Sequence, residues 1–479
     1  MDLVCGLDVG TSGAKALAVD ATGKVVARAE AKFTKPPYVP APGLAEQDAS
    51  QWWETSRECL NQISRQVGDR IIAIAIDSTS GTFVPVDKQG NPLVAALMYN
   101  DGRAAGLEEE VNEAARDFRD RLGYSFPGAF SLVKLLWLRR ERPEIVKSTY
   151  KFLHAADFLV GKLTGDFNCT DTSNGLKSGV DPIAGTWPQF IEKDLGLPLT
   201  KFPRIFRPGE KVGEVTEAAS RGTGLKAGTF VIAGASDGMA SFLASGAKAA
   251  GDWNLNLGTT LAIRGISKDL VRDSKGRLYC HRHPEGYWLP GGASNVGGEA
   301  LVRRFGEKQL PELDRSCIKF LPTGLVVYPL IRKGERMPFV SSEAEGFVTG
   351  ESKNEGELYA GYLEGVSLVT AWSIEEAHEI GADVDGEFFL SGGGGRGKTL
   401  SRLMASALGK NLVRVLEPDA TMGSALLAAA WTWYGSSVSA AQARMVKRDE
   451  VFESIPEMAE PLKEKLEALK KECRERGYL

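Results

Sequence analysis

The chain has 479 residues, 43% of them hydrophobic and 25% charged, and a formal net charge of −4. That length is too great for one core and predicts two domains. The acidic balance argues against nucleic acid as a partner, since no basic excess exists to neutralise phosphates, and no apolar run is long enough to predict a membrane-spanning helix.

The six cysteines (Cys5, Cys59, Cys169, Cys280, Cys317, Cys473) are scattered, and none forms a CxxC pair. They predict reduced, buried thiols rather than a disulfide frame or a zinc site. The chain opens directly on a strand pattern, so neither a signal peptide nor a transit segment is expected. The expected compartment is the cytoplasm, or the plastid stroma if this is a trimmed plant or algal protein.

Residues 3–9 and 15–20 read as adjacent strands around a Gly-Thr turn, and Val25–Ala29 reads as a third. A helix is expected to start near Asp48. The run Ile71–Ile76 is apolar and of strand length, as a buried parallel strand requires. Thr82–Asp87 and Leu93–Met98 read as strands around a Lys88–Pro92 turn. Residues 103–165 read as mostly helical. Ala219–Gly228 reads as a turn-rich boundary, followed by a buried strand ending at Ser236-Asp237-Gly238. A second strand-turn-strand unit runs Asn256-Leu257-Gly258-Thr259-Thr260 and on to Gly265. Glu387–Leu390 reads as a strand, followed by a glycine run and a helix through Leu408. Further helices are expected over roughly Ala425–Trp433 and Met458–Arg476. The predicted division is 1–236, 237–434, and a helical tail over 435–479 packing back on the first domain.

The two strand-turn-strand units suggest two domains of like fold facing one cleft. Their turns would present N–H groups and hydroxyls as an anion cradle; the alternative is two unrelated hairpins. Asp8 ends its strand two residues before the first turn, where it could hold a hard cation such as Mg²⁺ or cap the turn. Lys15 follows on the next strand and could neutralise a phosphate. Asp237, between small residues at a strand end, could accept a proton from a hydroxyl or serve as a turn residue. Asn100-Asp101-Gly102-Arg103 suits a polyhydroxy ligand or a capped helix start. Gly392-Gly-Gly-Gly-Arg-Gly397-Lys398-Thr399 matches the literal P-loop pattern. Its nearly all-glycine interior and the separate Gly-Thr cradles oppose that reading. His281 and His283 share a strand face but have no third ligand nearby.

In this order, these pieces resemble the FGGY family of carbohydrate kinases. The resemblance spans nearly the whole chain. It includes Asp8-x-Gly10-Thr11 with Lys15, Gly43–Asp48 with Trp52-Trp53, Met98–Arg103, Ala155–Leu159 with Leu163-Thr164-Gly165, Ala233–Gly238, Asn256–Thr260, Gly392-Gly393-Gly394 and Met422–Ala429. It implies an α/β fold of two ribonuclease-H-like, actin-like ATPase domains with an interdomain cleft. It also implies ATP and Mg²⁺ as cofactors, a small sugar as substrate, and a monomer or homodimer. By the same resemblance, Asp8 sits on the Mg²⁺ side. Thr11, Ser12, Lys15, Gly258 and Thr259 hold the phosphates, and Gly393, Gly394 and Gly397 lie at the adenosine. Asp237 is the general base, and Ser80, Asp101 and Arg103 line the sugar pocket. Where xylulose kinases carry Gln-Met-His-Gly, this chain has Thr79-Ser80-Gly81-Thr82. Gly397 replaces a polar residue, and Leu400 stands where an aromatic is common. The Asp77–Gly81 and Met98–Arg103 segments resemble plant and cyanobacterial xylulose-kinase-like proteins. That likeness points to D-ribulose first and D-xylulose second, with a catalytically weak sugar sensor as the alternative.

Overall fold

Leu3–Val9 and Gly13–Val19 form an antiparallel hairpin, and Val25–Lys32 continues it. The computed structural model describes the backbone of residues 1–479 and the side chains of all but Gly395 and Arg396. The apolar run predicted as a buried parallel strand is Ile71–Ser78, parallel to Leu3–Val9 on one side and to Phe230–Ser236 on the other. Lys211–Glu214 adds an antiparallel edge, completing a six-stranded sheet.

A second sheet repeats this plan. Trp253–Leu257, Leu261–Gly265 and Trp288–Ser294 form the antiparallel meander. Phe388–Ser391 and Leu412–Val415 add in parallel beside Trp253–Leu257, and Arg448–Phe452 closes the edge antiparallel. One further strand, Tyr279–Arg282, makes seven. The Gly10-Thr11 and Gly258-Thr259 turns occupy the same place in the two sheets, each joining the central strand to its antiparallel neighbour. The duplicated ribonuclease-H-like fold is therefore the observed one.

The helix predicted near Asp48 is Ser50–Val67, and Asp48 Oδ1 accepts from the Ser50 N–H at 3.0 Å. Its Trp52, Cys59, Leu60, Ile63 and Val67 are buried against the first sheet. Two other helices, Asp237–Ala244 and Ala420–Trp433, lie between the sheets. One apolar cluster joins Val4, Leu17 and Ile232 of the first sheet to Phe389 and Val413 of the second through these helices. They cross at Gly423, where a Cβ would lie 1.9 Å from the Ala240 carbonyl oxygen. Only glycine permits that approach.

Four expectations need correction. The 219–228 boundary contains the helix Glu217–Thr223, capped by Thr216, and leads straight into the first sheet. The strand expected over Leu93–Met98 shortens to Ala96–Leu97, which pairs with Phe83–Val86. The helical stretch after 103 is interrupted by the strand Lys151–His154, buried in the same small sheet. The start of the tail meets the first domain, Met445 lying against Gly23, but its later part does not pack back there as predicted. Arg448–Phe452 joins the second sheet, and Pro456–Glu475 packs on helices Glu355–Glu379 and Lys398–Leu408 of the second domain. Its buried Met458, Leu462, Leu466, Leu469 and Cys473 recur at helical spacing and belong to that domain's core. Lys465 also ion-pairs with buried Glu364 there.

Candidate functional site

Two adjoining cavities lie between the domains and share Lys177, Asp237 and Ser241. The smaller, about 580 Å³, is walled by Asp8, Gly10, Thr11, Lys15, Thr79, Ser80, Tyr99, Asp419 and Ala420. The larger, about 1130 Å³, opens towards Tyr124, Phe130, Asn254, Asn256, Arg264 and Tyr279.

Asp8, Thr11 and Lys15 stand where the sequence places them, around the first turn. That turn is tied by Gly10 N–H to Gly13 O at 3.0 Å. Gln47 Nε2 donates to Thr11 O at 3.2 Å, and Trp52 Nε1 donates to Gln47 Oε1 at 2.7 Å. The Gln47/Trp52 motif thus acts by fixing the Thr11 loop. Ser12 is exposed outside the cavity wall, its carbonyl accepting from Phe33 N–H. Its predicted phosphate contact is not formed by this wall.

Asp8 lies beside Asp77 on the neighbouring parallel strand. Burial pushes the Asp8 carboxyl up to about 6; Asp77 hydrogen-bonds to it and lowers it, Asp237 raises it, Lys15 lowers it and Asp419 raises it. Asp77 is fully buried and driven well above the usual carboxylate range, first by burial and then by the Asp8 charge. Its Oδ2 accepts from Ser424 Oγ at 2.6 Å, while its Oδ1 has no donor. The Asp8 charge opposes ionisation of Asp77. An orphan carboxylate oxygen beside Asp8 suits a hard cation. Among the described residues no group of three or more His, Cys, Asp or Glu side chains could cage a metal. Such an ion would therefore take its other ligands from water and phosphate, as Mg²⁺ commonly does.

Asp237 opens the helix Asp237–Ala244 at the junction of the two cavities. Its Oδ1 accepts from Gly238 N–H at 2.7 Å. Burial raises its carboxyl above the usual range; Lys177, Gly238 N–H, Arg264 and Ser80 N–H partly offset this. A carboxylate tuned upward in a cleft suits proton acceptance.

The predicted sugar residues separate. Ser80 lines the smaller cavity. Asp101 and Arg103 reach neither cavity. Asp101 is 2% exposed and accepts from Ala45 N–H at 2.6 Å and from Arg103 Nε at 2.7 Å. Arg103 also reaches Glu46 at 2.7 Å and stacks over Trp137. They form a clamp between the 43–47 and 98–103 segments, and the residue it presents to the cleft is Tyr99.

On the second domain, Gly258 N–H donates to Thr260 O at 3.0 Å, and the N–H groups of Gly298 and Glu299 donate to Gly258 O and Thr259 O. Gly394 abuts the same turn: its Cβ would lie 2.8 Å from Leu257 Cγ. Gly258, Thr259, Gly393 and Gly394 thus gather at one place, though none lines either cavity. Gly397 lies against the Asp314 carboxylate, and Leu400 is buried. The P-loop reading fails, because exposed Lys398 ion-pairs with Glu450 at 3.0 Å, away from the cleft. Arg396, also in that pattern, lies outside the described side chains.

Sequence reasoning missed Asp77, Tyr99, Lys177, Asp419, Arg264 and Gly298. Asp419 was signalled by the predicted Met422–Ala429 helix it precedes. Lys177 had no local signal, because a three-residue helical turn brings it to the cleft. The structure also forms a Ser178–His154–Asp157 chain at 3.2 and 3.1 Å. All three are buried, and Asp157 closes a capping box with His154, so the chain is structural.

The model for the FGGY family of carbohydrate kinases, N-terminal domain, matches residues 3–244, and that for its C-terminal domain matches 253–433. A xylulose kinase from Streptomyces rubiginosus is 30% identical over 420 residues, 85% of this chain and 84% of that protein. A gluconokinase from Bacillus subtilis is 25% identical over 385 residues, covering 75% of this chain and 74% of its own length. The solved xylulose kinase of Rhodospirillum rubrum superposes with a TM-score of 0.87 at 28% identity, covering 98% of each chain.

Proposed function

Because this chain belongs to the FGGY family of carbohydrate kinases, we propose that it phosphorylates a primary hydroxyl of a ketopentose, D-xylulose before D-ribulose. The observation that carries the reading is Asp237. It is the carboxylate shared by the smaller cavity, where Thr11 and Lys15 on the phosphate side face Ser80 and Tyr99, and the larger cavity, into which the rest of the acceptor extends. Asp237 accepts the hydroxyl proton as the acceptor oxygen bonds to the γ-phosphorus. The bond from that phosphorus to the β–γ bridging oxygen breaks, releasing ADP. Positioning and charge neutralisation supply most of the catalysis. Lys15 and Lys177 bring positive charge to the cavity, and Thr11 at its wall holds phosphate oxygens. Asp8, with Asp77 behind it, would hold Mg²⁺, which supplies further neutralisation of phosphate charge when bound.

D-xylulose leads because it names the Streptomyces and Rhodospirillum relatives. The small Thr79-Ser80-Gly81 wall keeps D-ribulose as the second reading, since the Ser80 hydroxyl can pair with a ketose hydroxyl. Leaving such a group unpaired costs about 1–3 kcal/mol, or roughly ten- to hundredfold in preference. ADP release measured with each ketopentose decides between them. A tenfold higher kcat/KM for D-ribulose, narrowed by Ser80→Ala, would reverse the order. Asp237→Asn is expected to bind sugar yet lose about 10²- to 10⁴-fold in turnover. Turnover close to wild type would remove Asp237 as the base. Sugar binding without ADP release from the unmutated protein would favour a sensor.

A further inference from the structure

Arg264 is the unexplained charge of this cleft. The paired strands Trp253–Leu257 and Leu261–Gly265 bury Leu255, Leu257, Leu261 and Ile263 on one face. The other face therefore presents Asn254, Asn256, Ala262 and Arg264 to the larger cavity. Asn254 stands opposite Arg264 in the hairpin, and Gly291 opposes it on the next strand. The guanidinium fits between two glycines. A Cβ on Gly291 would lie 3.2 Å from its Nε, and one on Gly238 would lie 3.4 Å from its Nη1.

Among the described residues Arg264 makes no ion pair, and its buried Nη1 has no hydrogen-bond acceptor. Burying a charged donor without a partner opposes folding, so the group calls for an explanation. Asp237 is the carboxylate whose charge it feels, and the proposed mechanism keeps that carboxylate free for the hydroxyl proton. The surroundings are cationic as well. Arg119, Lys177, Arg272 and Arg336 line the same cavity without an ion-pair partner among the described residues, whereas lining Asp273 is already neutralised by Arg277. Only Asp120 and Asp237 remain as unpaired carboxylates among the described lining residues. A chain of net charge −4 thus holds a positive cavity, which concentrates anions. Burial and the charges of Arg264 and Lys177 also hold His281 neutral beside it.

We propose that the acceptor cavity takes a sugar that carries an oxyanion, a carboxylate or a phosphate ester, and that Arg264 binds that oxyanion. The inference rests on the kinase reading and extends its substrate class beyond neutral ketopentoses. A planar guanidinium with free donors meets either group through paired, charge-assisted hydrogen bonds.

The test compares D-xylulose with D-xylonate, which carries a carboxylate, and with D-xylulose 1-phosphate, which carries a phosphate ester. ADP release and competition against D-xylulose are read for the wild type, Arg264→Met and Arg264→Lys, with melting curves for each. At least one charged sugar is expected to turn over or to compete with D-xylulose. Arg264→Met is expected to lower the preference for that charged sugar over D-xylulose at least about tenfold, with part restored in Arg264→Lys. Which sugar responds distinguishes carboxylate from phosphate. The proposal is overturned if neither charged sugar binds, or if Arg264→Met weakens charged and neutral acceptors alike. It is also overturned if the loss appears in the KM for ATP, or if inorganic phosphate binds at Arg264 without competing with acceptors. Should no sugar release ADP, calorimetric titration of D-xylonate still tests Arg264, and the kinase reading fails separately.

Discussion

Lys134 offers a test that joins stability to the cleft. It is fully buried on the helix Ser131–Glu141 and donates to Gly81 O at 3.1 Å and to Met98 O at 2.6 Å. Those carbonyls belong to the segments that carry Ser80 and Tyr99 into the smaller cavity. Burial pulls its ammonium down from 10.5 to about 7; the Asp101 charge opposes this, and Lys177 and Arg103 add to it. Between those two values the unfolded chain binds more protons than the folded one, so folding stability must rise with pH. At roughly 1.4 kcal/mol per pH unit, the contribution grows by about 4 kcal/mol between pH 7 and pH 10. Lys134→Met removes that titration and leaves the buried Gly81 carbonyl unpaired, at a cost of about 1–3 kcal/mol, while Met98 O keeps the Asp101 N–H at 3.1 Å. Near pH 7 the relieved burial of charge offsets this loss, and the variant is expected to equal or exceed wild type in stability. At pH 10 it is expected to be less stable by about 1–3 kcal/mol. Urea unfolding followed by tryptophan fluorescence at unit steps of pH reads the difference. Parallel pH profiles for the two proteins would refute the reasoning. The KM for sugar is expected to rise more than kcat falls, because the lost bonds hold the cavity wall rather than the reacting atoms.

Lys398→Ala should leave kcat and KM for ATP within about twofold of wild type and stability within about 1 kcal/mol, since an exposed ion pair contributes little. A large loss of ATP affinity would restore the P-loop. Gly423→Ala forces a Cβ against the Ala240 carbonyl. Overpacking of this kind typically costs about 1–3 kcal/mol, so a fall in melting temperature is expected; an unchanged melt would show that the two helices separate freely. Asp8→Ala should keep the wild-type melt and abolish Mg²⁺-dependent turnover. Activity that persists across a Mg²⁺ titration would remove Asp8 from the metal side.

The legible parts of this fold are those where short-range pattern and tertiary role agree. The hairpins at Gly10-Thr11 and Gly258-Thr259 and the buried run at residue 71 were readable because strand period, turn residues and burial coincide. Asp8, Thr11, Lys15 and Asp237 were readable because each ends a strand or follows a turn. The tail misled because an amphipathic helix announces its apolar face and not the surface that receives it. Asp101 and Arg103 misled for a related reason. A carboxylate and a guanidinium two residues apart suit a polyhydroxy ligand, but they suit each other at least as well. Lys177 and Arg264 stayed invisible because their meaning depends on what other elements leave unpaired around them.

The Asp77–Ser424 contact shows why the cleft is not the sum of two halves. These residues are 347 positions apart, yet their hydrogen bond sits directly behind Asp8. The helix that carries Ser424 begins beside Asp419 at the cavity wall and covers the face of the first sheet that holds Val4, Leu17 and Ile232. A fragment ending at Ser236 would lose that cover and also the donor that fixes Asp77. Because the strands Leu3–Val9 and Ile71–Ser78 are buried on both faces, removing the helix exposes a continuous apolar surface. The carboxylate pair of the first domain therefore depends on an element from the second. Any motion of that helix relative to the first sheet would alter the Ser424 hydrogen bond to Asp77, and with it the carboxylate beside Asp8.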